Sequence, residues 1–193
     1  MNENWFSIPI YHKSNILTQQ EIQQLYDGFV LLKEKKLLAN FNGTSLLTFN
    51  TAINSVLDYF NLDHIKEKIR LYCNDYLINC NIKFKNIVVD NNWLIGYQKN
   101  EYQGEHNHGY NNDLISGIIY IKTPINSSKI IFSSPNPYLS HICIQEYSIV
   151  NYTPKEGMIL IFPSFLKHKV LPNKDIMENE LRLGLSFNAR VNN

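Results

Sequence analysis

No sign of charge dominates this chain: eighteen Lys and Arg stand against seventeen Asp and Glu, for a net charge of +1. Without a basic surplus there is no electrostatic footprint for a polyanion, so nucleic acid is not an expected partner. Cysteine is scarce as well. The three residues Cys73, Cys80 and Cys143 are odd in number and include no CxxC spacing, which excludes a disulfide scaffold and suits reduced thiols in the cytoplasm. Met1 to Trp5 carries neither a basic n-region nor an apolar h-region, and no apolar run is long enough to span a bilayer, so the expectation is a soluble, intracellular protein. Internal repeats, low-complexity tracts and Gly/Ser linkers are missing too, and 193 residues suit one domain, 1–193. The abundance of Asn, Ile and Lys reads as the codon bias of an AT-rich host or virus.

The chain changes character near residue 87. In 1–86, taken as a helical support region, Thr18 is placed to cap a helix running to about Lys36. Ile22, Leu25, Tyr26, Phe29, Val30 and Leu32 form its apolar stripe. A second helix is expected from Asp63 to Ile78, with Ile65, Ile69, Leu71, Tyr72, Tyr76 and Leu77 facing inward. Trp5 to Tyr11 alternates as a strand does. In 87–193 short β-rich runs alternate with Gly, Pro, Asn and Ser: Ile87 to Gln98, Leu114 to Lys122, Lys129 to Phe132, His141 to Tyr152, Met158 to Phe162, His168 to Leu171 and Leu181 to Val191. Pro124, Pro135, Pro137, Pro154 and Pro172 fall between them, where they cost no ladder bond. The expected class is mainly β (α+β): a jelly roll, or double-stranded β-helix, with the N-terminal helices packed on one sheet.

Three histidines make a constellation in the β-rich half. His106 and His108, two apart on extended backbone, point to one face with Cβ atoms about 6–7 Å apart and can reach one metal ion. His168 follows the run Phe162-Pro163-Ser164-Phe165-Leu166-Lys167 and supplies a distant third ligand. A close pair plus one distant ligand leaves metal positions open, as oxygen chemistry requires. His12, His64 and His141 read as ordinary surface or core residues. In Leu181 to Asn188 the leucines and Phe187 share one face, and Arg182, Gly184, Ser186 and Asn188 the other. That strand is either half-solvated or lines a barrel mouth. In the mouth Arg182 would grip a carboxylate in bidentate fashion, Ser186 would add a bond, and Gly184 would leave room for the ligand.

Taken in order, H-x-H at His106 and His108, S-G-x-x-Y from Ser116 to Tyr120, G-x5-P-x4-H from Gly157 to His168, and R-x-x-x-S-F-N from Arg182 resemble a known family. It is the 2-oxoglutarate/Fe(II) oxygenases of the prolyl-hydroxylase-like type, many of them encoded by phages and marine bacteria. The resemblance covers about residues 87–190. It implies Fe(II) on His106, His108 and His168, with 2-oxoglutarate and O2 as co-substrates. Arg182 would hold the far carboxylate of 2-oxoglutarate, Tyr120 would bond the same group, and Tyr97 is a further candidate for the cosubstrate wall or an ordinary core tyrosine. The implied reaction hydroxylates an unidentified substrate and converts 2-oxoglutarate to succinate.

One departure stands out. The common triad is two histidines and a carboxylate, and His108 occupies the carboxylate position. Asp113 is the outside candidate for a carboxylate ligand, ahead of Glu105, which adjoins His106 and faces away on a strand. The alternative is a cupin-like metal-binding protein without 2-oxoglutarate chemistry. Gly157-x5-Pro163-x4-His168 fits a second cupin motif except at Phe165, and His106-x-His108-x4-Asp113 a first motif with Asp113 for glutamate. A metal-free capsid- or lectin-like jelly roll is the blandest option. Asn173 to Glu180 and Ser133 to Ser140 are the expected lid. Neither identifies a substrate or an oligomeric state.

Overall fold

The computed structural model describes residues 7–41, 43–49, 51–108, 114–136 and 148–192. Trp5, Asp113, Pro137, His141 and Cys143, residues 137–140 of the expected lid loop and residues 141–147 of the expected strand lie outside the described residues. The elements in chain order are β1 (Tyr11–Lys13), α1 (Gln19–Glu34), β2 (Ala39–Phe41), β3 (Thr44–Leu47), α2 (Val56–Tyr59), α3 (Asp63–Asn79), β4 (Asn86–Tyr97), β5 (Gln103–His106), β6 (Ile115–Lys122), β7 (Ile130–Ser133), β8 (Ile149–Tyr152), β9 (Ile159–Pro163), β10 (His168–Val170) and β11 (Arg182–Asn192). No described helix is long and apolar enough to cross a membrane.

Helix α1 starts where Thr18 can close a capping box. The Thr18 Oγ1 accepts from the Glu21 backbone N–H at 3.3 Å, and the Glu21 carboxylate accepts from the Thr18 N–H at 2.7 Å, which satisfies two orphan helix-start donors. The α1 stripe is buried at Ile22, Leu25, Phe29 and Leu32, and half-buried at Tyr26 and Val30. On α3, Ile65, Ile69, Tyr76 and Leu77 are buried as expected, but Leu71 is 63% exposed. Leu71 follows Ile69 by two residues, about 200° round the helix, and so points away from the sheet.

Two antiparallel sheets form the β region. The larger runs β1-β9-β6-β11-β4-β3-β2, the smaller β5-β10-β7-β8. The three described helices all fall before residue 87, but strands do as well. β1, β2 and β3 come from the first part, and β3 extends the large sheet beside β4, with Leu47 opposite Ile95. The dipeptide Asn42-Gly43 between β2 and β3 was the available hairpin signal, and Gly43 has φ +98°. The short strand β5 was also missed, because Gln103-Gly104-Glu105-His106 has no apolar alternation.

The two faces of the large sheet go to different cores. Ile115, Ile119 and Ile121 of β6 and Leu183, Leu185 and Phe187 of β11 pack with the helices. Ile118 and Tyr120 face the small sheet, where they meet Ile130, Phe132 and Val170. A sheet covered on both faces reads as near-continuous hydrophobics. The helices therefore brace the back of the large sheet, and the space between the sheets is left for chemistry.

Gly117 marks where that packing is tightest: a Cβ there would stand 2.6 Å from the Leu160 carbonyl oxygen and run into the Phe187 ring. Gly117→Ala is expected to cost about 1–3 kcal/mol by overpacking, read as a lower urea midpoint with an unchanged slope.

Candidate metal centre

The register of the small sheet assembles the histidines. β5 and β10 run antiparallel with His106 opposite His168. His108 lies two residues beyond β5, where its backbone N–H donates to the Ser164 carbonyl at 2.8 Å. Ring centroids are 4.3 Å apart for His106 and His168 and 5.1 Å for each pair with His108. One nitrogen from each ring lies within 4.8 Å of the others.

Each ring has its other nitrogen tied down. His106 Nδ1 lies 2.8 Å from the Gly104 carbonyl and His168 Nδ1 3.0 Å from the Leu166 carbonyl. A carbonyl oxygen only accepts, so both Nδ1 atoms carry the proton and Nε2 keeps its lone pair. His108 Nδ1 lies 2.8 Å from Asn188 Oδ1, which also accepts from Ser116 Oγ at 2.8 Å. Ser116 Oγ in turn meets Ser164 Oγ at 2.8 Å. This chain, buried at Ser116, Ser164 and Asn188, sets His108 in the same tautomer. Orienting partners of this kind fix ligand rings in metal sites.

Burial keeps all three imidazoles neutral. It lowers the His106 pKa and takes His108 down to about 4, with the neighbouring His106 adding to the effect on His108. His168 is pushed well below the ordinary value by burial and by both other histidines. Three neutral rings offering Nε2 are a donor set suited to a divalent transition metal. Phe162 and Phe132 pack on His168, Trp93 on His108, and Phe49 on Trp93, so aromatic rings back the cluster.

Glu105 is no part of this cluster. It is exposed and accepts a hydrogen bond from Ser133 Oγ at 2.7 Å. The other proposed carboxylate, Asp113, lies outside the described residues.

A cavity of about 260 Å³ opens between the sheets, and its wall includes the three histidines, Tyr97, Ser186 and Asn188. Arg182 and Tyr120 lie behind that wall, against Tyr97. Arg182 is 1% exposed, with its Cζ 5.0 Å from the Tyr97 ring centre and 5.3 Å from that of Tyr120. Its Nη2 donates to the Tyr120 hydroxyl at 3.5 Å, while Nε and Nη1 have no partner. Both phenols are held neutral by burial, which raises their pKa. A buried guanidinium with two unpaired nitrogens is costly unless an anion meets it.

Two expectations are corrected. Gly184 does not make room for a ligand, because the Ile118 side chain fills the space, 2.8 Å from where a Cβ would sit. Residues 173–180 do not line the cavity. Asn173 is fully buried, with its side chain holding the Ser128 N–H at 3.0 Å and the Tyr97 carbonyl at 3.3 Å, and it braces strand ends. Sequence reasoning quoted Ser116, Ser164 and Asn188 within motifs without assigning them a role. For Asn188 the signal was the alternation of polar and apolar residues on β11; Ser116 and Ser164 had no comparable pattern around them.

Asn188→Leu is expected to free His108 and weaken divalent metal binding about ten- to a hundredfold, measured by chelator competition, with the fold retained. The neutral histidines also set a pH dependence in the metal-free protein. Their folded pKa values are depressed, so their contribution to stability is complete above the ordinary value of about 6.5 and is lost as pH falls toward the folded value of about 4 for His108. Urea midpoints should therefore fall between about pH 7 and about pH 5, and His168→Leu should flatten that slope.

No curated protein matches the sequence. Among solved structures, a Pseudomonas putida prolyl-4-hydroxylase aligns with a TM-score of 0.64 at 13% identity, covering 95% of this chain and 94% of that one. The viral collagen prolyl hydroxylase of Paramecium bursaria Chlorella virus-1, solved with 2-oxoglutarate, gives 0.59 at 17%, covering 93% and 94%. The non-heme alpha ketoglutarate dependent epimerase SnoN from nogalamycin biosynthesis gives 0.70 at 11%, covering 95% and 76%. At these identities the likeness shows a shared double-stranded β-helix fold. The family described as "Putative 2OG-Fe(II) oxygenase" matches residues 91–188, a span that holds all three histidines, Arg182 and Asn188. By that match, over half of its length, the chain belongs to the 2-oxoglutarate- and Fe(II)-dependent oxygenases.

Proposed function

We propose that the protein is a 2-oxoglutarate-dependent hydroxylase in which His106, His108 and His168 hold Fe(II) and Arg182 anchors 2-oxoglutarate. The observation that carries this reading is the buried Arg182 with two unpartnered nitrogens, set behind the wall of the cavity that the three histidines share. Its planar fork matches a carboxylate in bidentate geometry. Tyr120, already bonded to Nη2, adds a hydroxyl, and Ser186 and Tyr97 line the approach. A cupin-like site needs no such cation, which favours the oxygenase over that alternative. The free thiols Cys73 and Cys80 suit the cytoplasm, where such an enzyme would work.

When bound, the iron and 2-oxoglutarate together with O2 supply the oxidising power, with 2-oxoglutarate leaving as succinate and CO2. The chain's part is positioning. Nδ1 protonation on each ring presents Nε2 to the metal, Arg182 sets the depth and direction of the cosubstrate, and Trp93, Phe49, Phe132 and Phe162 exclude water. A C–H bond of the substrate would be hydroxylated. The fold also serves an epimerase, so product analysis is part of the test.

The test is anaerobic titration of the Fe(II)-loaded protein with 2-oxoglutarate, following the charge-transfer band toward the red end of the visible spectrum. The wild type should show the band and form succinate in air. Arg182→Ala should retain iron and bind 2-oxoglutarate about 2–4 kcal/mol more weakly. His106→Ala and His168→Ala should lose iron. A wild type that binds iron but gives no band would favour the cupin alternative.

A further inference from the structure

Gln103 opens strand β5, three residues before His106. In a regular strand, residues three apart face opposite sides. Here the pairing slips: His106 stands opposite His168 and Gln103 opposite Val170, so three steps on β5 match two on β10. A β-bulge of this kind re-aims side chains. It turns both Gln103 and His106 into the cavity and leaves Glu105, between them, exposed.

Gln103 is only 5% exposed, and its Oε1 is buried without a hydrogen-bond partner. Val170 stands opposite it on β10 and Ile130 opposite Val170 on β7, and neither has a side chain able to bond an amide. The other buried side-chain atoms without partners, among the described residues, are Arg182 Nε and Nη1, Ser127 Oγ and Ser128 Oγ. All four residues belong to one end of the sandwich. Gln103 opens β5, Arg182 opens β11, and the two serines precede β7. Asn173 ties Ser128 to the last residue of β4, Tyr97, whose ring lies over Arg182. Unsatisfied polarity thus collects where the oxygenase reading puts the cosubstrate.

We propose that Gln103 is a cosubstrate-binding residue whose side-chain N–H donates to a carboxylate oxygen of 2-oxoglutarate. This rests on the oxygenase reading above. Ionised 2-oxoglutarate offers acceptors only, and the two ends of a carboxamide are close to isosteric, so the amide turns its Nε2 to the ligand. Gln103 then complements Arg182: the arginine contributes charge and the amide fixes orientation.

The experiment compares Gln103→Leu, Gln103→Glu and Arg182→Ala with the wild type as Fe(II)-loaded proteins at mildly alkaline pH, reading 2-oxoglutarate affinity from the charge-transfer band, iron affinity, and thermal midpoint. Gln103→Leu should weaken 2-oxoglutarate about tenfold and the like-charged Gln103→Glu about a hundredfold. Iron affinity should stay within about twofold in both. Gln103→Glu keeps the side-chain shape and carries the test if the leucine variant fails to fold. The proposal is overturned if Gln103→Leu binds 2-oxoglutarate like the wild type while Arg182→Ala does not, and equally if Gln103→Glu binds it more tightly, since the amide would then be an acceptor. A wild type without any band removes the oxygenase reading and this proposal together, an outcome told apart by the wild-type titration alone.

Discussion

The pairing of His106 with His168 across β5 and β10 is the contact on which the site depends. It joins two strands separated by more than sixty residues of chain, and it fixes one ring 4.3 Å from the other. His108 then needs only to follow two residues later and be held by Asn188 to complete the cluster. Slipping the register by one would turn His168 outward, since strand side chains alternate with period two. The bulge between Gln103 and His106 is part of the same device, because it lets one short strand present two groups to the cavity.

The long strand β11 links this cluster to the rest of the fold. Held between β4 and β6 along most of its length, it presents Arg182, Ser186 and Asn188 to the inner side and Leu183, Leu185 and Phe187 to the helices. One rigid strand therefore carries the candidate cosubstrate anchor at one end and the partner of His108 six residues on. Sites built on strands hold geometry better than sites built on loops. The helices contribute by covering the outer apolar face, which lets the inner face keep costly unpaired groups such as Arg182 Nε.

The chemistry of the cluster is set by neutrality. Burial holds three imidazoles uncharged, two of them orienting through backbone carbonyls and one through a carboxamide. No described carboxylate joins them, since Glu105 faces Ser133. A ligand set without negative charge leaves the full charge of a divalent ion to be met by an incoming anion, which suits a dianionic cosubstrate.

Much of this was readable in the residues themselves. Period 3.6 in Ile22 to Leu32 and Thr18 as its cap located α1. Period two in Leu181 to Asn188 separated Arg182 from its leucine neighbours, and the H-x-H pair with His168 named the cluster, because residue type and local spacing are properties of sequence alone. Other features depend on contacts between distant segments. Leu71 faces solvent because the sheet lies on the other side of α3, and Gly184 is small because Ile118 packs over it. Gln103 looks like a polar loop residue until β10 pairs with β5 out of step and turns it inward. Local pattern specifies which side chains share a face; which face meets a partner, and which polar atoms are left without one, is decided only when the two sheets pack.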